Sequence, residues 1–160
     1  MKNDKNNIKG AKKSTCGISY SGKELPENGE ELKRRLVERI QELHDKQSVS
    51  KFIVDMSMVQ GFAAAECILE LSQKFPEFSI EAAIPNDSNY SDWEKDIQDY
   101  YFELLSECSS KYFIISDTRE RYEEMFNRYV SHNASVCINI SNNFDHSGSQ
   151  YVIDVKTLDV

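Results

Sequence analysis

Short apolar runs alternate along this chain with longer segments whose apolar residues recur every three or four positions, and few architectures accommodate that alternation. Thr15–Tyr20, Lys51–Asp55 (KFIVD), Ser79–Ile84 (SIEAAI), Lys111–Ser116 (KYFIIS) and Ser135–Ile140 (SVCINI) read as strands. Between the first two, Glu30–Lys46 carries Leu32, Leu36, Ile40 and Leu43 on one face with charges between them, the pattern of an amphipathic helix. Gly61–Lys74 is a second helix whose three alanines imply close packing, ended by Pro76. Asp92–Cys108 is a third, with Ser91 as N-cap and Trp93, Ile97, Tyr101, Leu104 and Leu105 turned inward. Asp117 or Thr118 caps a fourth, running to about Val130 with Tyr122, Met125, Phe126 and Tyr129 on its apolar side. The polar stretch Ser141–Ser149 reads as a loop, and Tyr151–Val155 as a sixth, edge strand. Strands and helices in this order form right-handed βαβ units. The expected fold is α/β, a single Rossmann-like domain with a mainly parallel sheet and helices on both faces.

The 160 residues suffice for one domain with its own core and are too few for two comfortable ones. No apolar run approaches the roughly 20 residues of a spanning helix, and no apolar signal region follows the first residues. A cytoplasmic protein with no membrane partner is expected. The net charge of −8 is unevenly spread: residues 1–13 hold five Lys and one Asp, +4, so the other 147 carry −12. Residues 1–13 read as a disordered basic tail and 14–160 as the folded body, since the tail has almost nothing to bury. An acidic body repels phosphate backbones, so no nucleic-acid partner is expected.

Cys16, Cys67, Cys108 and Cys137 lie far apart and form no CxxC, and His44, His132 and His146 form no metal-binding cluster. No metal or resident cofactor is expected. There is no GxGxxG and no GxxxxGK[ST], and no Ser or Cys sits in a nucleophile elbow. Ligands of open α/β sheets bind outside the carboxyl ends of the strands. The informative loops are therefore 19–24, 55–61, 85–91, 116–119 and 141–149.

Three segments carry a resemblance: FIVDMSMVQGFAAAECILEL, IEAAIPNDSNYSDWEKDIQDYYFELL and NRYVSHNASVCINI. They resemble the YpsA-type branch of the SLOG superfamily, Rossmann-like proteins related to the lysine-decarboxylase-like phosphoribohydrolases and DNA-processing protein A. The likeness runs from about Thr15 to Tyr151. It rests on AAE at Ala64–Glu66, AAIP at Ala82–Pro85, Trp93 and NRY at Asn127–Tyr129. It implies a nucleotide-like small molecule at the strand ends.

The departures from the family pattern fall in those same loops. The family's TGHRP-like loop is replaced by Ser19-Tyr20-Ser21-Gly22-Lys23. Its GMAxGxD becomes Asp55-Met56-Ser57-Met58-Val59-Gln60-Gly61, which puts a carboxylate where a phosphate would approach and repels it. Its YDGxxGGT shrinks to Ser141-Asn142-Asn143 and Ser147-Gly148-Ser149, and the PGGxGTxxE of the phosphoribohydrolases is absent.

The resemblance and the loops together nominate Ser19, Tyr20, Ser21, Asp55, Ser57, Glu66, Arg128, Ser147, Gly148 and Ser149 as ligand-binding, with no catalytic residue. Glu66 contacts a ribose hydroxyl or acts as an acid/base, or else holds a neighbouring loop. Tyr90 and Trp93 stack on a base, or Trp93 belongs to the core. Arg128 reaches an anion or pairs with the acidic body. Residues 147–149 cradle a phosphate or form a plain loop. Two functions remain: a sensor of a nucleotide-derived ligand, or a degenerate domain that lost its pocket and serves as an interaction or structural subunit. A pocket filled by Tyr20, Met56 and Met58 would favour the second. Homo-oligomerisation through a helix face is compatible with both.

Overall fold

The computed structural model describes residues 12–21, 29–85, 90–145 and 148–158, and of 142–151 the backbone only. The strands are β1 (Thr15–Ser21), β2 (Lys51–Asp55), β3 (Ser79–Pro85), β4 (Ser110–Ile114), β5 (Val136–Asp145) and β6 (Gly148–Thr157). The helices are α1 (Gly29–Gln47), α2 (Phe62–Leu71), α3 (Lys95–Glu107) and α4 (Arg119–Asn133), with a 3₁₀ turn at Val59–Gly61 leading into α2. They build one six-stranded sheet in the order β4-β3-β2-β1-β5-β6. The first five strands are mutually parallel, and β6 runs antiparallel to β5. This is the expected α/β, Rossmann-like architecture. The expected tail lies outside the described residues up to position 11, and the Lys13 carbonyl accepts a 3.0 Å bond from the Ser135 hydroxyl.

Period-two alternation divides the core. Cys16, Ile18 and Tyr20 of β1, Phe52 and Val54 of β2, Ile80, Ala82 and Ile84 of β3 and Val136, Ile138 and Ile140 of β5 are packed in one large cluster. The inward faces of α1, α2 and α3 join it through residues such as Leu36, Ile40, Ala64, Ile68, Tyr101 and Leu104. The intervening residues point the other way, where Ile53, Ala83 and Ile114 meet Tyr122, Phe126, Val130 and Ala134 of α4. Among the described residues three helices thus cover one face and a single helix the other. At Gly17 the helix comes so near that an added Cβ would lie 2.5 Å from Val130 Cγ1.

Two readings of the sequence are corrected. The stretch 141–149 is not a loop: β5 continues to Asp145 and β6 begins at Gly148, so a long hairpin replaces it, with Asn142 opposite Tyr151. Its polar residues carry no apolar alternation, the pattern by which a strand is read from sequence. Ser91 does not cap α3, which starts at Lys95 after Glu94 with no side-chain cap. Thr118 does cap α4, its hydroxyl accepting from the Arg121 N–H at 3.0 Å.

Candidate functional site

Strand order reverses between β1 and β5, where this architecture opens its crevice. Ser19 and Ser21 stand there at the end of β1 with Asn139 beside them on β5. The Asn139 amide donates to Ser19 Oγ at 2.8 Å and to Ser21 Oγ at 3.0 Å. The Ser21 hydroxyl lies 3.3 Å from Asn139 Oδ1. Both hydroxyls are therefore engaged by the Asn139 amide across the two strands. Tyr20 and Met56 lie in the core cluster on the three-helix face and are buried.

A second group forms at the end of β2. Asp55 is 6% exposed, and its Oδ1 accepts from the Ser57 N–H (3.0 Å), the Ser57 hydroxyl (2.6 Å) and the Tyr122 hydroxyl (3.0 Å). The bond to the N–H two residues on is an Asx turn, which bends the chain out of the strand. Arg119 closes the group from the first turn of α4: its Nη1 donates to Ser57 Oγ, and Nη2 stands 3.6 Å from Asp55 Oδ2. The guanidinium lies over the Tyr122 ring at 5.0 Å, and its Nε donates to Glu123 at 3.1 Å. Burial first, and then the Asp55 charge, push the Tyr122 phenol far above its ordinary range, so it remains a donor.

Gly61 makes this turn possible. A Cβ there would fall 2.1 Å from the Asp55 carbonyl oxygen, a backbone atom that has nowhere to go.

Above the group opens a cleft of about 240 Å³, lined by Ser57, Met58, Pro85, Ser116, Asp117, Thr118, Arg119 and Tyr122. It sits at the carboxyl ends of β2, β3 and β4 and at the N-terminus of α4. That helix end contributes partial positive charge, and Arg119 a full one. Asp55 sits beneath with one oxygen saturated and the other facing arginine, so its charge is offset rather than presented bare to an incoming anion. A larger cleft of about 320 Å³ lies at the opposite, amino ends. Its carboxylate, Glu81, accepts from the Tyr129 and Ser110 hydroxyls.

The nominated residues whose side chains are described do not form one pocket. Asp55 and Ser57 meet, and Ser19 and Ser21 lie on the neighbouring strand end. Glu66 is on α2, across the sheet from α4, where its carboxylate holds Lys33 of α1 at 2.7 Å. Arg128 lies nine residues beyond Arg119, about 13 Å along the helix. It is exposed and paired with Glu124 at 3.5 Å. Ser147 lies outside the described residues, and the backbone of Gly148 and Ser149 belongs to β6. Trp93 packs edge-on against Phe62 and Tyr101, with centroids at 5.8 and 5.2 Å, at the margin of the core.

Arg119 and Tyr122 are the participants that sequence reasoning missed. A signal for Arg119 existed: a cation in the first turn opposes the helix dipole, so it needs a local partner.

All four cysteines are free thiols, each with its pKa raised by burial, Cys108 to about 11 and Cys67 to about 12. A thiol so held is a poor nucleophile. Among the described residues no cluster of three or more His, Cys, Asp or Glu is arranged to hold a metal ion, and no helix is long and apolar enough to cross a membrane.

No family model and no curated protein matches the chain. Among solved structures it is similar to the flagellar accessory protein FlaH from Methanocaldococcus jannaschii, at 8% identity and a TM-score of 0.32. That alignment covers 93% of this chain and 80% of the other, a likeness too slight to carry an argument.

Proposed function

We propose that this chain is a non-catalytic binding module for a small anionic, nucleotide-derived molecule, of the YpsA-type SLOG kind that its sequence resembles. The observation that carries this reading is the convergence of Arg119, the Ser57 hydroxyl and the capped N-terminus of α4 on one cleft at the strand ends. A phosphate there meets a guanidinium already oriented by Asp55 and Glu123, with a helix terminus behind it. Relative to the crevice between β1 and β5, this anion position is displaced toward β2–β4. Burial of the thiols and the absence of a nucleophile elbow agree with binding without covalent chemistry. A cytoplasmic setting fits this reading.

The test is thermal unfolding with AMP, ADP-ribose, NAD and cyclic dinucleotides, on the unmodified chain and on Arg119→Ala. Ligand at about 100 times Kd stabilises by about 2.7 kcal/mol. For a chain of this size that raises Tm by roughly 5–11 °C. Such a shift with one compound, lost in Arg119→Ala, is the expected result. A flat panel rejects the reading.

Burial of Tyr20 and Met56 favours a second reading, in which the inherited crevice is filled and the domain serves as an interaction subunit. A flat nucleotide panel, whatever the oligomeric state, supports it.

A further inference from the structure

Strand β4 ends the sheet, and no described residue pairs with its outer side. Edge strands are ordinarily blunted by Pro, by charge or by a covering element. Here the segment Ser110–Asp117 has no Pro, and residues 112–116 carry no charge. Phe113 and Ile115 are 58% and 73% exposed, and Phe102 on the neighbouring α3 and Tyr112 are exposed as well. Three of the six exposed large hydrophobics among the described residues, Tyr112, Phe113 and Ile115, thus fall in this one segment.

We infer that a second copy of this chain docks on β4 in antiparallel fashion, about a twofold axis through its last residue, Ile114, with residues 115–117 beyond the strand lengthening the ladder. The sequence is complementary to itself in that register. Lys111 falls opposite Asp117, Tyr112 opposite Ser116, Phe113 opposite Ile115, and Ile114 opposite its own copy. Phe113 pairs in the parallel ladder with Ile84, whose side chain lies in the three-helix core, so the Phe113–Ile115 pairs form on that face. Cross-strand pairs of this kind, apolar with apolar and cation with anion, are the unit of sheet stabilisation.

Charge also selects the occupant. A body carrying −12 repels its own copy over most of its surface, and this margin offers an uncharged run bounded by one Lys and one Asp. Joined so, the two sheets become one, and an isologous contact closes at the dimer. Asp117 also lines the cleft, which places the partner's Lys111 at its rim. The pairing does not depend on the cleft holding a ligand.

Sedimentation velocity on the full chain is the test, at concentrations up to about 100 µM. The expected species has twice the 18.5 kDa mass of the chain. Ile115→Lys, at a solvent-exposed position, removes the dimer. Lys111→Asp sets like charges opposite each other twice per dimer and weakens Kd about tenfold, and adding Asp117→Lys restores it. A monomer at every concentration overturns the inference, as does a dimer indifferent to both single substitutions. A dimer lost in Ile115→Lys but not rescued by the charge swap overturns the register.

Discussion

The Tyr122 hydroxyl lies 3.0 Å from Asp55 Oδ1 and 3.1 Å from the Ala83 carbonyl, so one phenolic proton ties α4 to the ends of two strands. The same contact supplies one of three bonds that make a buried carboxylate tolerable.

Tyr122→Phe keeps the ring under Arg119 and removes that proton. Asp55 then loses a donor it cannot replace with water. A cost of about 1–3 kcal/mol is expected, which lowers Tm by roughly 2–12 °C in a melt followed by circular dichroism. An unchanged Tm would mean that Ser57 and Arg119 satisfy the carboxylate unaided.

Two glycines separate by what surrounds them. Gly61→Ala drives a Cβ into the Asp55 carbonyl, so the loss is expected to be about 3 kcal/mol or more. Gly17→Ala meets only the methyls of Val130, so Val130→Ala should relieve part of its cost. In a denaturant double-mutant cycle, the Gly17 and Val130 substitutions together cost less than their sum. Strict additivity would show that α4 shifts freely at this point.

Glu66 and Arg128 were both nominated as ligand contacts, and the structure gives both other partners. Glu66 raises the pKa of Lys33 through their hydrogen bond, and the pair braces α1 against α2. A coupling of about 0.5–1 kcal/mol is expected between Lys33→Ala and Glu66→Ala. Arg128→Ala should fall within about 0.5 kcal/mol of the unmodified chain. Neither Glu66→Gln nor Arg128→Ala should change the nucleotide-induced Tm shift; a loss of that shift in either would return the residue to the site.

Alkali is expected to unfold the protein in a defined direction. Burial raises Cys67 from 9.0 to about 12 and Cys108 to about 11, and it moves Tyr122 and Tyr101 upward too. The unfolded chain therefore releases these protons first. Their contribution is intact below pH 9.0, falls as pH rises from there, and is gone only above the folded values. Tm measured at successive pH values should be level through neutrality and decline above about 9. A level profile to pH 11 would contradict the burial of these groups.

Much of this was legible because burial speaks through period. Leu32, Leu36, Ile40 and Leu43 announced α1, and KFIVD announced a strand covered on both sides. Asp55 and Ser57 were legible as strand-end residues, and 116–119 as a loop to inspect. The separation of Asp55 from Glu66 was not. Their separation depends on the sheet face to which α2 crosses, and that follows from strand order, which no local pattern records. The β5–β6 hairpin was hidden for a different reason: Asn142 and Asn143 carry no apolar alternation, and their strand shows only in its pairing with β6.

The uneven dressing of the sheet has a mechanical consequence. On the thinly covered side, α4 is held near its start by Tyr122 on Asp55, and farther along by Tyr129, which donates to Glu81 and stacks on Tyr112. Two phenols act as the bolts of a single shutter. If they slip together, Ile53, Ala83 and Ile114 meet water at once while the three-helix side stays shut. Amide hydrogen exchange should then find the α4 protons leaving through a cheaper, partial opening, and those of α1 and α2 waiting for the whole molecule to come apart.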